Sequence, residues 1–283
     1  DCLALRDRVR PGVRAVVIGG GLLGVSAARA LAALGAEVVL TQQGERLMER
    51  QLDASASDLL REHMESLGVE VHTECRVSGL RQRDGEVTAV ELADGFVLDA
   101  QVVVLACGVR PRVALAREAG LAVATGIVVD DSLRTSDPYI HAVGDCAEHA
   151  GRVYGLAGPA LEQADALAAV LLSEAAASRE APAPAAYGGT RALTRLTLGG
   201  AEPLDLAAFG ETTARPGDDV VQLNDATRNA YRKVVVRGDR LVGGVLLGDL
   251  AAVGTLARAW EGDEALPDEA PLLHLLTHDG GSS

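Results

Sequence analysis

Residues Ile18 to Gly24 read Ile-Gly-Gly-Gly-Leu-Leu-Gly, so the glycines at 19, 21 and 24 fall at the spacing Gly-x-Gly-x-x-Gly. The run follows an apolar strand-like segment, Ala15 to Ile18, and opens an apolar-periodic segment that reaches Leu34 and stops at Gly35, a residue suited to a helix C-terminus. Glu37 to Leu40 then reads as a second strand. At such a junction the first glycine makes the tight turn, the second leaves room for a pyrophosphate, and the third lets the helix pack on the sheet. The backbone N–H groups of Gly19, Gly20, Gly21, Leu22, Leu23 and Gly24 are then placed to cradle phosphate at the positive end of the helix. The expectation is a βαβ unit that binds a dinucleotide.

The alternation continues along the chain. A helix is predicted from about Ala54 to Leu67, ending at Gly68, with a strand at Val69 to Thr73 behind it. Asp84-Gly85 and Asp94-Gly95 mark turns between two or three short strands, and Val102 to Ala106 is a fully apolar strand. Residues 11–108 are therefore expected to form an α/β, Rossmann-like, doubly wound dinucleotide-binding domain with a β-meander inserted before its last strand. Residues 109–174 predict a short helix at Val113 to Ala119, strands at Ile127 to Val129 and Ile140 to Val143, and a helix from near Pro159. Ser173 to Ala186, rich in Ala, Pro and Ser, reads as a linker. Beyond it, an alternating run at Arg191 to Leu198, a hairpin at Val234 to Leu247 and a helix at Leu250 to Trp260 predict a small α+β domain over 187–276. The end, Thr-His-Asp-Gly-Gly-Ser-Ser, reads as frayed.

Composition narrows the function classes. With 283 residues, 48% hydrophobic and a mean hydropathy of +0.16, the chain is expected to fold into more than one domain. A formal charge of -14 and 2% aromatic residues argue against a nucleic-acid partner, since phosphates are repelled and bases find little to stack on. Apolar runs such as Val102 to Cys107 fall well short of the roughly 20 residues that span a bilayer. Without a signal-like N-terminus, a cytoplasmic protein with no membrane partner is expected. Cys2, Cys75, Cys107 and Cys146 form no Cys-x-x-Cys pair and read as buried thiols. Cys146-Ala147-Glu148-His149 holds potential metal ligands but reads as a solvated turn, so no metal site and no catalytic side chain is assigned.

The acidic residue that hydrogen-bonds the adenosine ribose at the end of the second strand is replaced by Gln42. A glutamine still reaches a ribose hydroxyl and does not repel a 2'-phosphate. Gln43 brings no positive charge, and Arg46, within reach of a phosphate, reads as an ordinary surface arginine. Weak discrimination between NADH and NADPH is expected, with a lean towards NADH.

Thr135 to Glu148 reads TSDPYIHAVGDCAE, placing Gly144 and Asp145 after an apolar stretch. Together with the glycine run and Ala-Cys-Gly-Val-Arg-Pro around Gly108, this resembles the pyridine nucleotide:flavin oxidoreductases with two dinucleotide folds. Leu47 to Asp53, Arg134 to Leu156 and Leu241 to Asp249 are similar to assimilatory nitrite reductase large subunits, and rubredoxin and ferredoxin reductases fit equally. The resemblance covers roughly Arg14 to Leu276. It implies NAD(P)H and FAD as cofactors, hydride transfer from nicotinamide to flavin, and single-electron delivery to an iron-sulfur, sirohaem or rubredoxin-like acceptor protein or domain. It also implies that Asp145 accepts hydrogen bonds from the ribityl hydroxyls of FAD, where a turn or helix-capping role is the alternative. Two departures stand out. Ser26 replaces the family's glutamate near the nicotinamide, and the first dinucleotide fold, which carries the FAD pyrophosphate loop, is expected before Asp1. Residues 109–174 would then be the C-terminal part of an FAD domain, and FAD binding by these residues alone is not expected. The alternative from another class is a non-catalytic nucleotide-binding regulatory module.

Overall fold

A computed structural model describes residues 2–175, 186–200, 203–225, 227, 230–262, 265 and 266. By its internal contacts the chain divides into two compact units, residues 1–108 with 193–283, and residues 109–192.

The first unit opens with helix α1 (Cys2–Arg8), which has no counterpart among the expected elements. Strand β1 (Arg14–Ile18), helix α2 (Leu22–Ala33), β2 (Glu37–Thr41), α3 (Ala54–Ser66) and β3 (Val69–His72) follow. The meander β4 (Val77–Arg83), β5 (Glu86–Leu92) and β6 (Val97–Asp99) leads into β7 (Val102–Leu105). The parallel sheet has the order β3-β2-β1-β7, with Val16 beside Val39 on one side and Val103 on the other. Period-two alternation decides what each face holds. Ala15, Val17, Val38, Leu40, Val69 and Val71 face α2 and α3, whereas Val16 and Ile18 meet Val90, Leu92, Leu98 and Ala100 of the meander. Gly35 and Gly68, both at positive φ, stop the two helices. The Asp84-Gly85 pair, at φ 54 and 82, makes the tight hairpin that this dipeptide favours.

The second unit holds α4 (Ala114–Glu118), β8 (Ile127–Val129), β9 (Ala147–His149) and α5 (Ala157–Ala175). Strands β8 and β9 pair in parallel. The strand expected at Ile140 to Val143 does not form: the segment meets residues 133–135 through an isolated Arg134–His141 bridge, because Asp137-Pro138 turns the chain between them. Of the linker expected from Ser173 to Ala186, the first part is helical, and positions 176–185 lie outside the described residues, as does the expected frayed end.

The chain returns to the first unit with β10 (Thr194–Leu198), β11 (Leu204–Gly210), β12 (Asp219–Asp225), β13 (Ala230–Arg237), β14 (Arg240–Leu247) and helix α6 (Val253–Glu261). The antiparallel sheet β10-β11-β14-β13-β12 buries both faces. Leu204, Leu206, Ala208, Tyr231, Val245 and Leu247 join the core formed by α2 and α3, while Ala207, Phe209, Val234 and Leu246 pack under Val253, Leu256 and Trp260 of α6. The first unit thus stacks meander, parallel sheet, helix pair, antiparallel sheet and terminal helix.

Asp53 joins the helix pair to the antiparallel sheet. Its Oδ1 caps α3 by accepting from the Ala56 N–H at 3.1 Å, and its Oδ2 accepts from the Tyr231 hydroxyl at 2.6 Å and the Lys233 ammonium at 2.7 Å. The side chains of Lys233 and Asp53 are only 12% and 15% exposed. Burial raises the Asp53 pKa, but the hydrogen bonds from Lys233, Tyr231 and Ala56 and the Lys233 charge outweigh it, and the net shift is downward. Burial and the Asp53 carboxylate push the Tyr231 hydroxyl well above its ordinary value. A carboxyl whose folded pKa lies below its unfolded value stabilises the fold above the unfolded value, and that contribution is lost as pH falls through the folded one. Asp53→Asn is therefore expected to cost about 3 kcal/mol at neutral pH. The gap to wild type in denaturant titrations should narrow as the pH drops below about 4; a gap that stays constant with pH would rule out an ionised Asp53 as its source.

Candidate functional site

The turn between β1 and α2 is built by glycines with different tasks. Gly19 sits at φ +108, and a Cβ there would stand 2.5 Å from the Ala106 carbonyl oxygen. A Cβ on Gly24 would lie 1.7 Å from the Gly19 carbonyl oxygen, so the first turn of α2 rests directly on the end of β1. Gly21 differs: its backbone is extended at φ -78, it begins α2 without a side-chain cap, and nothing lies within 4 Å of where its Cβ would be. The first N–H groups of a helix have no partner within it. An open glycine at that end is what an approaching phosphate requires.

Gly20 locks the turn to the segment after β2. Its N–H donates to Gln42 Oε1 at 2.8 Å, and its carbonyl accepts from the Met48 N–H at 2.9 Å. Leu47 packs so closely that a Cβ on Gly20 would meet its Cδ2 at 2.6 Å. Gln42, expected to face the ribose, thus gives its amide oxygen to the loop, which leaves its NH2 group as the donor for a ligand. Ser26, expected near the nicotinamide, donates its hydroxyl back to the Leu22 carbonyl at 2.8 Å. Leu23 and Gln43 are exposed. Arg46 lies 4.0 Å from Glu45, Nη1 to Oε2. Gly108, at φ +83, is exposed in the turn after β7.

Gly144 and Asp145 belong to the second unit, in a short 3-10 turn. Gly144, at φ +78, donates its N–H to Gln163 Oε1 at 2.7 Å, and Gln163 is 1% exposed. The Asp145 carboxylate is exposed and has no hydrogen-bond partner among the described residues. That suits an acceptor for ligand hydroxyls better than a capping role. Gln163 was not singled out in the sequence, although Pro159, Gln163 and Val170 share the buried face of α5, a place where a polar residue needs a reason.

Two expectations need correcting. His149 is not in a solvated turn: it is 5% exposed in β9, with Nε2 2.8 Å from Asp131 Oδ1 and its ring edge-on to Tyr187. The cysteines are not uniformly buried either, since Cys107 is exposed just beyond the edge strand β7 and Cys75 and Cys146 are half-buried. Burial and the Asp94 carboxylate push the Cys75 thiol up. Among the described residues there is no cluster suited to a metal ion, and no helix is long and apolar enough to cross a membrane.

Residues 1–164 match the pyridine nucleotide-disulphide oxidoreductase family model, and residues 200–262 match the rubredoxin NAD+ reductase C-terminal domain. A nitrite reductase [NAD(P)H] of Bacillus subtilis is 36% identical over 272 residues, covering 95% of this chain and 32% of that protein. A rubredoxin-NAD(+) reductase of Pseudomonas putida is 35% identical over 147 residues, covering 52% of this chain and 38% of that protein. Among solved structures, a ferredoxin reductase from Rhodopseudomonas palustris superposes with a TM-score of 0.79 at 28% identity, covering 93% of this chain and 63% of that one. The chain thus spans about a third of the length of these curated relatives.

The glycine contacts separate folding from binding. Gly24→Ala forces a methyl into a carbonyl and is expected to lower the melting temperature by about 5 °C or more. Gly21→Ala meets open space and should leave it unchanged within about 1 °C. Thermal melts of both variants check this, and equal losses would mean that Gly21 is packed rather than open.

Proposed function

The chain belongs to the pyridine nucleotide-disulphide oxidoreductase family, and from that premise we propose that it carries the coenzyme-binding unit of a flavin-dependent NAD(P)H oxidoreductase. The acceptor in this reading is an iron-sulfur, sirohaem or rubredoxin-like centre, and the parent activity is that of an assimilatory nitrite reductase large subunit. The observation that carries it is the open Gly21 at an uncapped helix start, beside glycines that cannot be replaced. Rubredoxin or ferredoxin reduction is the second reading, favoured by the character of the C-terminal domain.

In this reading the residues divide between the two cofactors. Residues 11–108 are assigned to the coenzyme, with the N–H groups from Gly21 to Gly24 on its pyrophosphate and Gln42 Nε2 toward the ribose. Residues 109–174 are assigned to flavin contacts, with Asp145 accepting from ribityl hydroxyls and Gln163 holding the turn that presents it. Leu198, Leu204, Leu206, Ala208, Tyr231, Val245 and Leu247 of the antiparallel sheet complete the core above α2 and α3. When bound, nicotinamide and flavin supply the chemistry, a hydride passed from one to the other without an acid or base from the chain. The contribution of these side chains is placement, made before the ligand arrives because Gln42 and Met48 already hold Gly20 from both sides.

Calorimetric titration tests the reading. The purified chain is expected to bind NADH or NADPH, and Gly21→Val, which fills the open approach, to weaken that binding by about a hundredfold, near 2.7 kcal/mol. The same affinity in both proteins would remove the glycine turn from the proposal.

A further inference from the structure

Met48 is the strained point in the support of the glycine turn. Its backbone is left-handed at φ 48, a conformation that costs free energy in a residue other than glycine and persists only where the surroundings hold it. The Met48 N–H donates to the Gly20 carbonyl at 2.9 Å, and the Met48 carbonyl accepts from the N–H groups of Gln51 at 2.8 Å and Leu52 at 2.9 Å. Beside it, the Leu47 carbonyl accepts from the buried Ser57 hydroxyl at 2.9 Å. The next residue after Leu52 is Asp53, whose carboxylate is fixed by the Tyr231 hydroxyl and the Lys233 ammonium. Two positions apart on β13, these two side chains share one face of the sheet, the face whose core includes α2 and α3. A path of hydrogen bonds and packed residues thus runs from the Gly20 carbonyl through Met48 and Leu52 to a partner that lies 180 residues beyond Asp53 in the chain.

We infer that Lys233 and Tyr231 are positioning residues for the coenzyme: by anchoring Asp53 they keep Met48 left-handed, and so hold Gly20 and the glycine turn in the arrangement that receives the pyrophosphate. The inference rests on the reading that the Gly19 to Gly24 turn holds the dinucleotide. Without the Lys233 ammonium the Asp53 carboxylate is left in a buried place with less of its charge compensated, and the segment that carries it shifts towards water. Met48 then relaxes from its strained conformation and its N–H leaves the Gly20 carbonyl. The fraction of molecules with a binding-ready turn falls, and the apparent affinity falls in proportion. The antiparallel sheet therefore acts on coenzyme affinity through the backbone of another element.

The test combines amide hydrogen exchange on the coenzyme-free whole chain with calorimetric titration by NADH, for wild type, Lys233→Met, Tyr231→Phe and Leu256→Ala, at a temperature where thermal melts show each protein folded. Leu256 is the control: it is buried under α6 on the other face of the same sheet, so its truncation destabilises the fold without touching Asp53. Lys233→Met is expected to speed exchange in residues 44–53 while β5 stays as protected as in wild type, and to weaken NADH about fivefold, a coupling of the size that packed networks carry. Tyr231→Phe keeps the ion pair and should move both readouts the same way by less; it carries the test if Lys233→Met does not fold. Leu256→Ala should leave the NADH affinity within about twofold of wild type. Unchanged exchange in residues 44–53, faster exchange with no loss of affinity, or an equal loss of affinity in Leu256→Ala overturns the role of Lys233 and Tyr231 and leaves the binding site itself intact. Failure of wild type to bind NADH or NADPH overturns the site reading, and the inference with it.

Discussion

The α-carbon of Gly24 rests against the carbonyl of Gly19, and the direction in which α2 leaves the sheet follows from that contact. With any side chain at 24 the helix would have to lift away from β1, and Val25, Ala28 and Leu31 would lose their place in the core. Those residues share that core with α3 and with one face of the antiparallel sheet. The close approach of two glycines is thus the condition under which the later layers of the first unit can pack at all.

Charge and openness are kept apart in that unit. The buried ion pair, Asp53 with Lys233, lies between the helix pair and the antiparallel sheet, where both oxygens of the carboxylate accept hydrogen bonds. At the glycine turn the arrangement is reversed: Gly20 is satisfied at both its N–H and its carbonyl, whereas the neighbouring helix start is left without a cap. Rigidity around an unsatisfied group is the physical form of a site prepared for an anion.

Much of this was legible in the sequence because its signals are local. The glycine spacing located the β1–α2 junction, and Asp84-Gly85 located the first hairpin of the meander. Strand β11 gave no alternating signal, since Leu206, Ala207, Ala208 and Phe209 are all buried when both faces of the sheet are covered. Edge strand β12, with Asp219, Asn224 and Asp225, is too polar to announce itself, and the three-residue β9, which pairs with the expected strand at Ile127 to Val129, has no period to read. At the site, Gln42 and Ser26 were identified by position, but their hydrogen bonds to Gly20 and Leu22 depend on rotamers that spacing does not encode. Met48, whose N–H holds the Gly20 carbonyl, has a left-handed backbone, a conformation that few residues other than glycine adopt and that the sequence does not mark.

The hydrogen bond from Gly144 to Gln163 does not end there. The Gln163 Nε2 donates to the Tyr187 hydroxyl at 3.4 Å, which shares a hydrogen with the Thr190 hydroxyl at 2.7 Å, and Thr190 in turn donates to Glu162 at 2.7 Å. The Thr190 N–H also reaches the Tyr154 hydroxyl at 3.0 Å. The turn that presents Asp145 is therefore braced by residues that come after α5 in the chain. A natural or engineered truncation at the end of that helix would strip Tyr187 and Thr190 from a buried polar relay, so the smallest self-sufficient form of the second unit has its boundary beyond Thr190.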